Sequence, residues 1–280
     1  MKKASRRQAK GLPFYKLQGA GNDVVVFFRK HLPRPRLAKA AFLRRMAHRQ
    51  LGIGTDQFVE VISLRPLAVQ IWNADGSTAE MCANGTRSFL FLAAAEKWVN
   101  ARSAELSLLV SGKGYHANRL GAGYELCLGK PQIGELESII LGEERIPFRA
   151  VSTGNPHAVI FHGAKEGEWK EPLDFSYVAY GPRIETHARF PKKTNVEFVR
   201  RLEKIGTRTQ IHVQAWERGA GATLSCGSGA VAVAAAVRRL QGGDSFVVKM
   251  TDFELQVRFE GDQAFLSGPC ALVAKGEYYT

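Results

Sequence analysis

Two cysteines lie in closely similar segments and could act as a pair of acid–base groups. The first segment covers residues 73–87 with Cys82 at its tenth position, and the second covers 217–231 with Cys226 at the same position. In both segments, a short glycine-containing turn follows the cysteine and leads into an apolar, Ala-rich stretch. Two thiols on opposite sides of one carbon could remove a proton from one face and return a proton to the other. The spacing therefore predicts a two-base proton transfer.

Each cysteine directly precedes a predicted buried helix, at residues 86–98 and 230–240. The first turn of a helix carries free backbone N–H groups that attract negative charge and favour a thiolate, so we expect lowered thiol pKa values. Two facing helix N-termini could also bind a carboxylate and stabilise the charge that develops at its α-carbon. The N–H groups available for this role belong to Ala83, Asn84, Gly85, Gly227, Ser228 and Gly229.

Further polar residues stand close to these segments. Asparagine commonly occupies turns, but the place of Asn73, Asn84 and Asn155 within the repeated blocks favours a binding role for them. A single histidine such as His157 is usually structural. Beside a cysteine base, however, it could adjust the pKa of that thiol.

The elements that would hold these residues occur in a repeated order. A glycine precedes both Asn22 and Asn155, and an apolar strand follows each of them. The asparagine lies 60 positions before the cysteine in the first copy and 71 positions before it in the second. Short strands surround one buried helix in each copy. We therefore predict an α+β fold of two homologous halves, each a mostly antiparallel sheet or barrel wrapped around a central helix, with the active site in the cleft between them.

The repeat divides the 280 residues into two predicted domains. We expect the N-terminal half at residues 1–130 and the C-terminal half at residues 131–268. Glycine and proline mark a crossover near residue 130 and a second one at 268–269. The tail 269–280 is expected to return and complete the first half.

The formal net charge of +13 would suit binding to nucleic acid, and much of the excess lies near the N-terminus and in residues 29–49. No known nucleic-acid-binding motif accompanies this charge, so we expect a solvated basic tail and no specific nucleic-acid partner. A nucleic-acid-binding module remains an alternative function. No run reaches the roughly 18 apolar residues of a membrane span, and no apolar leader follows the basic start. We therefore expect a cytoplasmic protein with no membrane partner.

The four cysteines show no spacing typical of a zinc site, and we expect no bound metal. Cys127 and Cys270 stand in apolar or strand-like surroundings, where free cysteine usually serves as a buried packing residue. A disulfide between Cys82 and Cys226 is a structural alternative to the two-base role. The lack of a secretory leader argues against a disulfide framework.

The order and spacing of eight motifs make the chain similar to the diaminopimelate epimerase family. The motifs are GAGND at 19–23, GIGTDQ at 52–57, NADGS at 73–77, EMCANG at 80–85, GNPH at 154–157, NVEF at 195–198, WERG at 216–219 and CGSGA at 226–230. The resemblance implies interconversion of LL- and meso-diaminopimelate, in the lysine and peptidoglycan precursor pathway, with no pyridoxal phosphate or other cofactor. It also implies two similar α+β halves with the site between them and a homodimer.

The resemblance implies a role for each matching residue. Cys82 and Cys226 would be the two bases, while His157 and Glu217 would adjust the thiols or hold the reacting amine. The reacting carboxylate would bind backbone N–H groups of Ala83, Asn84, Gly227 and Ser228. The distal end of the substrate would bind Asn73, Asn155, Asn195 and Arg218. The pocket would be completed by Asn22 and Gln57.

One departure from the family pattern lies next to the first cysteine. Ala83 stands where the family usually has glycine, and alanine is tolerated there only if the backbone is helical, not at a positive φ. The nearest alternative activity is another cofactor-independent amino-acid racemase or isomerase of the same fold, similar to proline racemase. The predicted grip on a distal carboxylate, with Arg218 as its bidentate partner, argues against a small substrate such as proline.

Overall fold

The computed structural model describes residues 11–32, 36–100, 102–121, 123–161 and 176–279. The predicted basic tail at residues 1–10 lies outside the described residues. The helices in the described ranges are α1 (Arg36–Ala47), α2 (Ala83–Ala95), α3 (Tyr177–Glu185) and α4 (Gly227–Gln241). A short 3-10 turn covers Arg29–His31. No helix among the described residues is long and apolar enough to cross a bilayer.

Strands make up most of the described chain. In order they are β1 (Leu12–Gly19), β2 (Asn22–Phe28), β3 (Gln57–Leu64), β4 (Leu67–Asn73), β5 (Thr78–Ala79), β6 (Glu105–Val110), β7 (Lys113–Leu120), β8 (Gly123–Gly129), β9 (Gln132–Leu141), β10 (Glu144–Ser152), β11 (Pro156–Phe161), β12 (Asn195–Ile205), β13 (Arg208–Glu217), β14 (Gly221–Ala222), β15 (Ser245–Met250), β16 (Phe253–Glu260), β17 (Gln263–Ser267) and β18 (Cys270–Tyr278).

Strand pairing follows the same course twice. In the first half the neighbours run β18–β1–β2–β3–β4–β6–β7–β8, and β5 pairs with β4. In the second half they run β9–β10–β11–β12–β13–β15–β16–β17, and β14 pairs with β13. Pairing between β8 and β17 joins the halves. In each half two of these pairings are parallel and the others antiparallel, so the predicted fold class is confirmed.

One long helix fills the centre of each half. α2 packs on β1, β2, β3, β8 and β18, and α4 packs on β10, β11, β12 and β15 to β17. All residues from Ala230 to Val237 are buried, because α4 is surrounded by sheet and presents small side chains on every face. The Ala-rich composition lets the strands approach the helix axis closely.

The predicted domain limits fall at strand ends. β8 ends at Gly129 and β9 begins at Gln132, while β17 ends at Ser267. β18 then pairs along β1, from Leu12 opposite Tyr278 to Gly19 opposite Cys270. The assignment of 1–130, 131–268 and 269–280 as domains stays a prediction.

Several elements differ from the sequence expectations. α2 and α4 each begin three residues earlier than predicted, directly after the cysteines, because the cysteine itself caps the helix. α3 was not predicted, since it contains the helix breakers Gly181 and Pro182. β9 and β10 were also missed, because charged residues interrupt their apolar alternation.

The two remaining cysteines have different environments. Cys127 is buried on β8, as predicted. The prediction of burial is wrong for Cys270, which is partly exposed at the start of β18 and lies 3.7 Å from the guanidinium of Arg87. All four cysteines are free thiols, so the alternative of a disulfide between Cys82 and Cys226 is not supported.

Candidate active site

The two cysteines of the repeat occupy the same structural position. Cys82 is the N-cap of α2, with φ −133° and ψ 109°, and its Sγ accepts a hydrogen bond from the Gly85 N–H at 3.2 Å. Cys226 is the N-cap of α4, with φ −120° and ψ 111°, and its Sγ accepts from the Gly229 N–H at 3.3 Å. A side chain that accepts from the third helical residue is the normal N-cap arrangement, here with sulfur in place of oxygen.

The N-termini of α2 and α4 meet across the two halves. A Cβ added to Gly227 would lie 3.0 Å from the Cβ of Ala83 and 3.0 Å from Oδ1 of Asn84. Asn84 also donates to the hydroxyl of Ser225 at 3.1 Å, and Ser225 in turn donates to the carbonyl of Ala20. The first turn of each helix has N–H groups without intrahelical partners, so the junction collects donors from both halves. It is suited to an anion such as a carboxylate.

Ala83 is the first residue of α2 and does not have a positive φ. The condition for tolerating alanine at this position is therefore met. The close approach of Gly227 to the Ala83 methyl shows how the neighbouring helix makes room for it.

The Cys226 side of the site contains a chain of polar side chains. Sγ of Cys226 lies 3.5 Å from the Ser228 hydroxyl, to which Asn155 donates at 3.3 Å. Oδ1 of Asn155 lies 3.1 Å from Nε2 of His157. On its other side, Nδ1 of His157 lies 2.7 Å from a carboxylate oxygen of Glu197, and both side chains are fully buried.

Burial dominates the acid–base properties of the thiols. Desolvation raises the pKa of Cys82 to about 12, although the Gly85 N–H and the charge of Arg87 lower it. Desolvation also raises the pKa of Cys226 well above its usual range, and the neighbouring carboxylates of Glu217 and Glu197 raise it further. The prediction of lowered thiol pKa values is therefore wrong, because the helix N–H groups do not outweigh burial.

Glu217 lies close to both thiols. It accepts from the Thr223 hydroxyl at 2.6 Å, and its charge acts on both sulfurs. Burial raises the pKa of Glu217, and its charge in turn raises the pKa of Cys82 across the cleft. A carboxyl group with a raised pKa beside a thiol can exchange a proton with it.

The Cys82 side has amides where the other side has ionisable groups. The Cys82 thiol lies 3.8 Å from Oδ1 of Asn22. Gln57 donates to Asn73 at 3.3 Å, and Asn73 donates to Ser77 at 3.0 Å. Oε1 of Gln57 is buried with no partner, so this amide retains an acceptor that a substrate ammonium group could use.

In the second half, Asn195 and Arg218 are expected to bind the distal end of the substrate, and in the structure both contact the backbone. Both polar atoms of the Asn195 amide are engaged, since it donates to the carbonyl of Pro156 at 2.9 Å and accepts from the Arg218 N–H at 2.9 Å. The Arg218 guanidinium is exposed and donates to the carbonyl of Lys192 at 3.2 Å. Asn195 therefore holds the backbone of residue 218, while the Arg218 side chain points to the end of the loop before β12.

The structure brings in residues that the sequence reasoning missed. Ser225 bridges the two halves, Glu197 pairs with His157, and Thr153 lies 3.2 Å from Nε2 of His157. An acidic residue within the apolar stretch of β12 was the available signal for Glu197. Ser225 gave no signal beyond its place next to Cys226. Among the described residues, no group of three or more His, Cys, Asp or Glu side chains is placed to hold a metal ion.

Several solved structures have the same fold. A probable proline racemase from Agrobacterium radiobacter has a TM-score of 0.65 at 16% identity, covering 95% of this chain and 92% of that one. A hydroxyproline epimerase from Agrobacterium vitis has a TM-score of 0.66 at 13% identity, covering 97% and 93%. A PhzF-family phenazine biosynthesis protein from Bacillus anthracis has a TM-score of 0.69 at 11% identity, covering 96% and 99%. The chain has the two-half α+β fold of these proteins.

Sequence relatives identify the family. A diaminopimelate epimerase from Carboxydothermus hydrogenoformans is 35% identical over 292 residues, covering 96% of this chain and all of that one. Another from Bacillus cytotoxicus is 30% identical over 290 residues, covering 95% and 96%. The family model for diaminopimelate epimerase matches residues 14–111 and 149–273. The chain belongs to the diaminopimelate epimerase family and is an isomerase that acts on an amino acid.

Proposed function

We propose that this protein is a diaminopimelate epimerase that interconverts LL- and meso-2,6-diaminopimelate by a two-thiol mechanism. The observation that carries the mechanism is the matched capping geometry of Cys82 and Cys226 at two helix N-termini that meet across the halves. An α-carbon between these termini would have one sulfur on each face. We place the reaction in the supply of precursors for lysine and peptidoglycan.

The reaction begins with one thiol deprotonated and the other protonated. The thiolate removes the α-proton from one face of the substrate, and the opposite thiol delivers its own proton to the other face, so the configuration inverts. Negative charge from the broken C–H bond spreads into the α-carboxylate. The N–H groups of Ala83, Asn84, Gly227 and Ser228 would stabilise that charge, because helix N-termini are fixed donors.

The remaining site residues are assigned auxiliary roles. Because burial keeps both thiols protonated at neutral pH, one must lose its proton before each turnover. Glu217, whose own pKa is raised by burial and whose charge acts on Cys226, is the proposed acceptor, and we propose that His157 assists on the same side. The distal end of the substrate would bind a separate set of side chains. That set comprises Asn22, Gln57, Asn73, Asn155, Asn195 and Arg218.

The Arg218 assignment requires a movement. Its guanidinium donates to the Lys192 carbonyl, so it must leave that contact to reach a distal carboxylate. The side chain is exposed and its partner is a single backbone oxygen, which makes the exchange for a charged, bidentate partner favourable.

The alternative of a proline-racemase-like activity is not favoured. The solved proline racemase and hydroxyproline epimerase share 16% and 13% identity with this chain. Identity at that level supports a shared fold but not a shared activity. The relatives at 30–35% identity over nearly the whole chain are diaminopimelate epimerases.

We also propose a homodimer and a cytoplasmic location. β18 supports the homodimer, because it is an edge strand that pairs only with β1 among the described residues. Leu272 and Val273 on this strand are 42% and 58% exposed. An exposed apolar edge favours pairing with another chain.

A substrate comparison tests the proposed function. The purified protein is incubated with LL-diaminopimelate and, in parallel, with L-proline under reducing conditions, and the stereoisomers are separated by chiral chromatography. We expect the meso isomer to form and no D-proline. Racemised proline without meso-diaminopimelate would establish the alternative activity. Steeply salt-dependent nucleic-acid binding with no reaction on either amino acid would favour the nucleic-acid-binding module.

A further inference from the structure

The internal repeat allows each residue of one half to be compared with its counterpart in the other. In the parallel ladder of the first half, Val24 lies beside Gln57. In the ladder of the second half, His157 lies beside Asn195. These registers make Val24 the counterpart of His157. Two residues further along each partner strand, Val59 is the counterpart of Glu197.

One member of each pair lies next to the third residue of the central helix, Val24 in the first half and Glu197 in the second. A Cβ added to Gly85 in α2 would meet the Val24 side chain at 3.6 Å. A Cβ added to Gly229 in α4 would meet Oε1 of Glu197 at 2.6 Å. Both glycines are third residues of their helices and donate to the capping cysteines. By register, the second half has the carboxylate of Glu197 where the first half has the apolar side chain of Val59.

Packing does not explain this difference. Val24 and Val59 are both fully buried, so the fold already has an apolar solution for the same pair of positions. A buried carboxylate costs folding free energy unless it is paired, and Oε2 of Glu197 has no hydrogen-bond partner at all. The pair of His157 and Glu197 is costly for stability and occurs in only one half. This indicates that the pair has a role in the chemistry of that half.

We propose that Glu197 is a positioning residue that keeps the proton on Nδ1 of His157, so that Nε2 is the one ring nitrogen that exchanges protons with the cleft. The contact of 2.7 Å between Nδ1 and a carboxylate oxygen carries this proposal, because a carboxylate can only accept. Nδ1 keeps its proton in the neutral ring and in the cation alike. This inference rests on the proposed function for its catalytic consequence, but not for its structural content.

Nε2 faces the part of the site that leads to Cys226. In the neutral ring the bare Nε2 can only accept, and the Thr153 hydroxyl lies 3.2 Å away as a donor; in the cation the Nε2–H can donate to Oδ1 of Asn155 at 3.1 Å. Asn155 continues to Ser228, whose hydroxyl lies 3.5 Å from the Cys226 sulfur. Fixing the tautomer thus gives the Cys226 side an oriented proton-exchanging group. At the equivalent place on the Cys82 side there is only Val24.

Nitrogen NMR of the whole protein tests the tautomer directly. Histidine is labelled with ¹⁵N, and long-range ¹H–¹⁵N correlations of His157 are recorded in wild type, Glu197→Gln and Glu197→Leu, with His157→Gln for assignment. We expect a protonated Nδ1 in wild type and in Glu197→Gln, whose amide oxygen still accepts. Glu197→Leu removes the acceptor and should shift the proton toward Nε2. A bare Nδ1 in neutral wild-type His157, or an unchanged tautomer in Glu197→Leu, would overturn the proposal.

Turnover links the tautomer to the reaction. We expect kcat to fall at least about tenfold in Glu197→Leu and to recover in large part in Glu197→Gln, since a positioned acid–base group contributes on the order of 10²–10⁴-fold.

Glu60→Gln is the matched control, because Glu60 is also fully buried but pairs with Arg29, Lys39 and Trp72 away from the cysteines. It should leave the His157 signals unchanged. Equal kcat in wild type and folded Glu197→Leu would contradict the catalytic consequence. Wild type without epimerase activity would refute the proposed function and leave the tautomer result standing.

Discussion

At the scale of single residues, the site combines two thiols with an environment that opposes their ionisation. The N-cap position supplies one N–H donor to each sulfur, but burial and the carboxylate of Glu217 act in the opposite direction. High thiol pKa values also make the conjugate thiolates strong bases. Such bases suit the removal of a weakly acidic α-proton, provided that binding of the substrate excludes water.

Replacement of either capping cysteine should abolish turnover. We expect Cys82→Ala and Cys226→Ala each to lose at least about 10³-fold in kcat, because each removes one of two obligatory proton carriers. Cys127→Ala is the control, since this thiol is buried on β8 outside the helix N-termini. Steady-state kinetics and circular dichroism on the same samples check the prediction. Near-normal turnover in either capping variant would refute the two-thiol assignment.

The raised pKa of Cys82 has a consequence for stability at alkaline pH. The thiol titrates near pH 8.5 in the unfolded chain and at about 12 in the folded protein, so above pH 8.5 the unfolded state binds fewer protons. With respect to the Cys82 thiol, the unfolding free energy is therefore at its full value below pH 8.5 and falls as the pH rises toward 12. Between pH 8 and 10, wild type should lose about 1–2 kcal/mol more unfolding free energy than Cys82→Ala. Urea unfolding at both pH values measures this, and equal losses would contradict the raised pKa.

At the scale of elements, the site depends on how closely two helix N-termini approach. A Cβ at residue 227 would lie 3.0 Å from side-chain atoms of Ala83 and Asn84 in the opposite helix and 3.0 Å from Leu266. Residues at three sides leave no direction in which a methyl group could be accommodated without a shift. The absence of a side chain at 227 therefore helps to set the distance between the two cysteines.

A methyl group at residue 227 should separate the helix N-termini. We expect Gly227→Ala to lower the unfolding free energy by about 1–3 kcal/mol through overpacking and to lower kcat/KM, because the two sulfurs move apart. The double variant Ala83→Gly/Gly227→Ala should recover part of both losses. Gly114→Ala on β7 serves as control, since a Cβ there meets nothing within 4 Å. Thermal unfolding and kinetics check the series, and a Gly227→Ala protein identical to wild type would contradict the tight junction.

At the scale of the whole molecule, the sequence predicted the architecture better than the site chemistry. The doubled cysteine motif and the doubled Gly-Asn start of β2 and β11 gave two halves, because strand periodicity and glycine turns are local signals. The sign of the thiol pKa shifts was not predictable, since it depends on how completely distant strands exclude water. The partner of His157 lies 40 residues away in the sequence and is brought close only by the parallel pairing of β11 and β12.

The two halves are equivalent in topology but not in polarity. Amides of Asn22, Gln57 and Asn73 line the Cys82 side, while His157, Glu197 and Glu217 lie on the Cys226 side. A reaction that inverts one carbon needs a proton carrier on each face. A substrate with two different ends needs the surroundings of those carriers to differ. The repeat provides a cysteine in each half, one for each face of the carbon. The sequence differences between the two halves give the two cysteines different surroundings.

Deuterium incorporation tests the two-thiol account most directly. The enzyme is incubated with LL-diaminopimelate in D₂O under reducing conditions, and the reaction is stopped at low conversion for mass spectrometry and NMR. The account predicts deuterium at one α-carbon of the meso product and none in the recovered LL substrate, because one sulfur removes protium and the other delivers solvent deuterium. Meso product that retains its α-protium, or deuterium in recovered substrate without any meso product, would contradict it.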